Sequence, residues 1–211
     1  MDAYTTEEEQ IAKIKKWWGE NGKAIILGLV LGLSGLFGYR YWESARTVEG
    51  QNASINYEHL LSIASNGASD EATTAGQAII AGYPKSTYAR LSALVLAKLA
   101  VDVRDFEEAK LRLQWVIDNS KEGKIKPMAQ ARMGQVLLAE GNVDAASSLV
   151  AEIDPAYADL FTELRGDVLF ASGETEQARA LYEQTLDEAL KRGNSGAIVQ
   201  LKIDNLNVAT Q

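Results

Sequence analysis

MGQVLLAEGNVDAASSLVAEI, residues 133–153, and RGDVLFASGETEQARALYEQT, residues 165–185, carry one pattern twice, 32 residues apart. Gly134, Gly141, Ala146 and Val150 in the first copy correspond to Gly166, Gly173, Ala178 and Tyr182 in the second. Ala97, Arg104, Ala109 and Leu113 repeat the set 37 residues upstream, and Leu60, Gly67 and Ala72 lie a further 37 residues back. An internal spacing of seven and then five residues is therefore shared by four copies. Periods in this range belong to stacked helical hairpins.

The spacing has a physical reading. A small residue in mid-helix lets a second helix cross closely. Seven residues on, Gly141 and Gly173 suit a left-handed helix end. Five residues later, Ala109, Ala146 and Ala178 return the second helix against the first. Such a hairpin cannot bury its own apolar face and needs neighbours on both sides. The pattern resembles the tetratricopeptide repeat. The match is closest over residues 133–153 and 164–186. It is weaker near Leu96, where Arg104 replaces the turn glycine, and weakest at residues 60–84, where Gly76 stands for a large apolar residue. Residues 195–208, with Ile198 and Leu201 among polar neighbours, are expected to form a capping helix. The expected fold is all-α, a solenoid of about four αα-hairpins.

Ahead of the repeats, residues 24–39 read AIILGLVLGLSGLFGY without a charge. A span needs roughly 20 residues to cross about 30 Å of hydrocarbon. Lys23 and Arg40 can extend to the headgroups, and Tyr41 and Trp42 carry the helix into the interface. Trp17 and Trp18 form the opposite aromatic belt. The start is too long and acid-rich for a cleaved leader, and no small-residue cleavage site follows. One transmembrane helix over residues 24–42 is expected. Lys13, Lys15, Lys16 and Lys23 precede it, against Arg40 and Arg46 after it. This asymmetry places residues 1–23 in the cytoplasm and residues 43–211 across the membrane, in a bacterium the periplasm.

Gly28, Gly32 and Gly35 are candidates for close packing between membrane helices. Glycine is also simply common in such helices. Thr6 to Glu9 fits a capping box, opening either a short helix on the membrane surface or a helical lead-in to the span.

The chain carries a net charge of −8, and residues 43–211 account for all of it, with 24 acids against 16 basic residues. No basic stripe interrupts this, so nucleic acid is not an expected partner. The lack of cysteine excludes disulfides and thiolate chemistry, and the single His59 excludes a histidine metal cluster. Phosphate-binding, zinc-protease and calcium-loop motifs are absent. Glu107, Glu108, Glu174 and Glu176 sit at helix starts, where the helix dipole accounts for them. Neither an enzyme nor any cofactor or metal is expected.

The N-terminal EEEQ, the KKWWGENGK of residues 15–23, the Gly-rich span and the four hairpins together resemble the YfgM family, the ancillary subunit of the SecYEG translocon. The resemblance covers essentially the whole chain. It implies an inner-membrane protein that associates with the translocon and a membrane-anchored periplasmic chaperone of the PpiD type. Such a protein assists newly exported, unfolded chains. An oligomeric structural adaptor for envelope or cell-division assemblies is the competing expectation.

In repeat arrays of this kind the first helix of each hairpin lines the concave face. Positions three before, one after and four after the small residue are expected there. They are Leu94, Lys98 and Val101, then Ala131, Gln135 and Leu138, then Glu163, Asp167 and Phe170.

Overall fold

The computed structural model describes residues 7–121 and 123–209, and the regular elements among them are all helical. They are α1 (Glu7–Ser65), α2 (Ser69–Gly82), α3 (Thr87–Asp102), α4 (Phe106–Asn119), α5 (Ile125–Ala139), α6 (Val143–Ala151), a 3₁₀ helix (Pro155–Phe161), α7 (Thr162–Ala171), α8 (Thr175–Lys191) and α9 (Ala197–Ala209). The chain divides into two compact units, Met1–Asn52 and Ala53–Gln211.

The first unit consists of the leading part of α1. Thr6, the expected N-cap, lies outside the described residues. The residues after it form no separate surface helix, because α1 runs unbroken from Glu7. Nine large apolar side chains, from Ile25 and Ile26 through Leu36 to Phe37, are exposed, with no covering partner among the described residues. Left in water, each would forgo about 1.5–3 kcal/mol of burial. By length and composition α1 is the one helix among the described residues able to cross a membrane. Beyond the apolar run the Tyr39 and Trp42 rings lie 6.2 Å apart, and the Arg46 guanidinium sits 4.6 Å over the Trp42 ring. That stripe joins an aromatic body to a cationic tip, as an interface requires.

The second unit is the repeat array. The end of α1 pairs with α2, α3 with α4, α5 with α6 and α7 with α8, and α9 closes the series against α8. Four turn positions share a left-handed backbone: Gly67 (φ 79°), Arg104 (φ 61°), Gly141 (φ 86°) and Gly173 (φ 85°). Around Arg104 its own N–H donates to the Val101 carbonyl at 2.9 Å, and that of Asp105 to Ala100 at 2.8 Å. Gly141 with Asn142 and Gly173 with Glu174 repeat both bonds. This paired closure satisfies carbonyls that the helix end leaves open. The next helix starts at once, with the Asp105 and Asn142 side chains accepting from the backbone of Glu108 and Ala145.

Ala72, Ala109, Ala146 and Ala178 are all fully buried, each in the second helix of its hairpin. The first-helix glycines accept neighbours instead. A Cβ on Gly134 would lie 2.5 Å from Leu164 Cδ2, and one on Gly166 would lie 2.6 Å from the Tyr182 ring. Gly76 similarly receives Leu96 from the following hairpin. The large apolar residue that its own position lacks is thus supplied by the neighbour. The core is correspondingly a string of clusters. One surrounds Leu60, Ala72 and Ile79, a second spans α3 to α5, a third joins Ile153, Phe161 and Leu164, and a fourth joins Tyr182 to α9. Each cluster links successive elements, the quasi-one-dimensional packing of a solenoid.

Two local features depart from the sequence reading. A 3₁₀ helix opens at Pro155, capped by Asp154, and delivers the fully buried Phe161 between α6 and α7. In α9 the inward residues are Val199, Ile203 and Leu206, whereas Ile198 and Leu201 are 69% and 62% exposed.

Candidate partner-binding groove

Helices α3 and α5 are the first helices of successive hairpins, and a groove of roughly 310 Å³ runs between them. Leu94, Ala97, Lys98 and Val101 come from α3, and Arg132, Gln135, Val136 and Ala139 from α5. Leu113 of α4 forms part of the floor. The groove exists because Ala97 and Ala139 are too small to fill the space between the two helices. Most of its surface is apolar, and its polar groups are Lys98, Arg132 and Gln135.

Four of the nine residues expected on the inner face meet here: Leu94, Lys98, Val101 and Gln135. Leu94 is 3% exposed and belongs to the core as well as to the groove wall. Ala131 and Leu138 point elsewhere, packing against the cluster of Ile153, Phe161 and Leu164 in the next hairpin. Phe170 is 42% exposed on α7.

Glu163 and Asp167 are occupied from within the chain. Lys202 of α9 places Nζ 2.7 Å from Glu163 Oε1 and 2.6 Å from Asp167 Oδ1. The Tyr182 hydroxyl donates to the same Asp167 oxygen at 2.8 Å. Lys202 also lies 5.6 Å from the centre of the Tyr182 ring. Burial works against the charge on Lys202, but bonding to Asp167 and Glu163 outweighs it and holds the pKa above that of a free lysine. Burial, then the bond to Asp167 and the two carboxylate charges, push the Tyr182 phenol far above its usual range. The cluster fastens the last helix to α7 and α8.

The two groove cations differ. Lys98 is paired with Asp102 at 2.6 Å, one turn along α3. Arg132 is exposed and makes no ion pair or side-chain hydrogen bond among the described residues. Its charge is felt by Tyr57, whose hydroxyl burial raises in pKa and Arg132 partly restores. Tyr57 stacks at a tilt on Tyr88, with centroids 5.7 Å apart. The sequence rule passed over Arg132 because it stands two residues before Gly134, between the chosen positions. Its signal was a cation in a strongly acidic domain.

Among the described residues the groove lining includes no acid, histidine or hydroxyl side chain. His59 lies apart from it, in a pocket with Asn56 and Tyr83. No group of three or more potential metal ligands occurs among the described residues. Gly28, Gly32 and Gly35 on the first unit have open space where a Cβ would stand.

The model of the tetratricopeptide repeat-like domain family matches residues 15–208. The chain is 30% identical over 209 residues to the ancillary SecYEG translocon subunit of Escherichia coli K12, covering 99% of this chain and all of that protein. It is 32% identical to the protein of the same description from Aggregatibacter actinomycetemcomitans, over 97% of this chain and that protein's full length. The Neisseria gonorrhoeae protein of that description is 27% identical, over 98% of this chain and its own full length. No solved structure matches the chain. Fold, anchor and relatives agree on a protein-interaction module held to a membrane by one N-terminal apolar helix.

Proposed function

Since this chain belongs to the tetratricopeptide repeat-like family of ancillary SecYEG translocon subunits, we propose that it serves the translocon from the bacterial inner membrane. Residues 1–23 face the cytoplasm, residues 24–42 span the bilayer and residues 43–211 form a periplasmic repeat domain. The domain engages a membrane-anchored chaperone of the PpiD type and assists exported, still unfolded chains. The inner-face groove is where those polypeptides bind. The observation that carries this reading is the pairing, in one chain, of an unpartnered apolar helix with a solenoid whose first helices leave an open apolar groove. The lysine excess ahead of the span supports the orientation.

Photo-crosslinking in intact membranes tests it, with a probe placed singly at Leu33, Lys98 or Phe170. Translocon subunits are expected at Leu33, and the chaperone or exported chains at Lys98 and Phe170. A second reading, an oligomeric adaptor for envelope assemblies, is favoured by the open surface at Gly28, Gly32 and Gly35. Capture of only a second copy at Leu33, with nothing at Lys98 or Phe170, would replace the translocon reading with this one. The cysteine-free sequence makes topology directly testable. A single cysteine at Ser195 should react with an impermeant maleimide added from the periplasmic side, and one at Glu9 should not.

A further inference from the structure

We propose that the α3–α5 groove selects apolar polypeptide segments that carry a side-chain carboxylate, with Arg132 as the residue that reads it. This rests on the reading of the groove as a polypeptide site and adds the chemistry of the occupant. The groove is walled by Leu94, Ala97, Val101, Val136 and Ala139, which favour an apolar segment. Among its charged groups Lys98 is already neutralised by Asp102. Arg132 lines the same groove, is exposed and is without an acidic partner among the described residues, although the domain around it is acidic overall. In a surface with excess carboxylates, a guanidinium beside an apolar groove is left to pair with a group that is not part of the chain. Guanidinium geometry suits a carboxylate, which it can hold with two parallel hydrogen bonds. The charge of Arg132 also acts on Tyr57, whose ring packs at a tilt on Tyr88 with centroids 5.7 Å apart. A basic segment would gain nothing from Arg132, and a wholly apolar one would leave it desolvated and unpaired, which is costly.

The test uses the full chain in phospholipid nanodiscs and two fluorescein-labelled probes, acetylated and amidated peptides SALLAELLAS and SALLAQLLAS. Fluorescence polarisation is expected to show the glutamate peptide binding about three- to tenfold more tightly than the glutamine peptide. Arg132→Gln should remove that preference, weakening the glutamate peptide and, with no guanidinium left to desolvate, holding or improving the affinity of the glutamine peptide. Added salt should weaken only the glutamate peptide on the unaltered chain. Ala139→Trp, at an exposed position on the groove rim, should block both peptides, with circular dichroism confirming that the helices persist. Equal binding of the two peptides, or a preference that survives Arg132→Gln, overturns the role of Arg132 and leaves the groove as a polypeptide site. Binding of neither peptide, or binding undisturbed by Ala139→Trp, overturns the groove itself.

Discussion

Arg104 and Gly141 occupy the same place in successive hairpins, and both adopt the left-handed backbone, with φ of 61° and 86°. A side-chain-bearing residue there pays about 1–2 kcal/mol in contact between Cβ and the following carbonyl. The turn tolerates it because the two closing bonds, to Val101 and Ala100, are as short as those at Gly141.

Arg104→Gly is therefore expected to stabilise the repeat domain by about 1 kcal/mol, the relief of strain exceeding the added entropy of the unfolded chain. Arg104→Val should destabilise it, since a β-branched residue fits the left-handed region worst. Urea unfolding of both variants followed by circular dichroism measures the difference. Equal midpoints for the two variants would show that the turn is not strained.

Gly166 and Gly134 both receive side chains from neighbours, but the neighbours differ in freedom. Leu164 meets Gly134 with its flexible methyl end, whereas Gly166 faces the Tyr182 ring, whose hydroxyl is fixed by Asp167. Gly166→Ala is expected to cost about 1–3 kcal/mol, the usual range for overpacking, and Gly134→Ala the smaller amount. Thermal unfolding of the two variants checks the order, and a larger loss for Gly134→Ala would reverse the assignment.

Alkaline pH should loosen the C-terminal end. Tyr182 and Lys202 both hold their protons more tightly in the folded chain than their free groups do, near 10.0 and 10.5. The unfolded chain releases these protons first, so it binds fewer of them, and stability falls as pH rises. The contribution is complete below about pH 10 and declines above it. Tyr182→Phe should reduce the slope, and should cost about 1 kcal/mol at neutral pH by removing the bond to Asp167. Stability measured from pH 8 to 11.5 tests this, and identical slopes for the two proteins would remove Tyr182 from the account.

Ser92 is fully buried in α3, and its hydroxyl has no hydrogen-bond partner among the described residues. Replacing an unsatisfied buried hydroxyl with hydrogen removes a desolvation cost. Ser92→Ala is expected to leave stability unchanged or to raise it by up to about 1 kcal/mol. A loss of more than that in urea unfolding would show that the hydroxyl is bonded in solution.

The sequence by itself determined the helical class, the hairpin register and the apolar anchor. These are local requirements, written where they act. A left-handed turn follows its helix at a fixed offset, and Ala72, Ala109, Ala146 and Ala178 mark close crossings because only a small side chain fits there. The same offset found Arg104 without a glycine to signal it. The fate of the inner-face residues was decided elsewhere. Glu163 and Asp167 are held by Lys202, 39 and 35 residues further along. Ala131 and Leu138 turn into the next hairpin, and α9 buries Val199 rather than Ile198. Only tertiary structure settles such choices, because the rotation of each helix answers to the neighbour it packs on. Arg132 became visible in the same way. Its neighbours in the sequence do not show which groups it meets, whereas the packed array sets its charge beside an open groove with no ion-pair partner among the described residues.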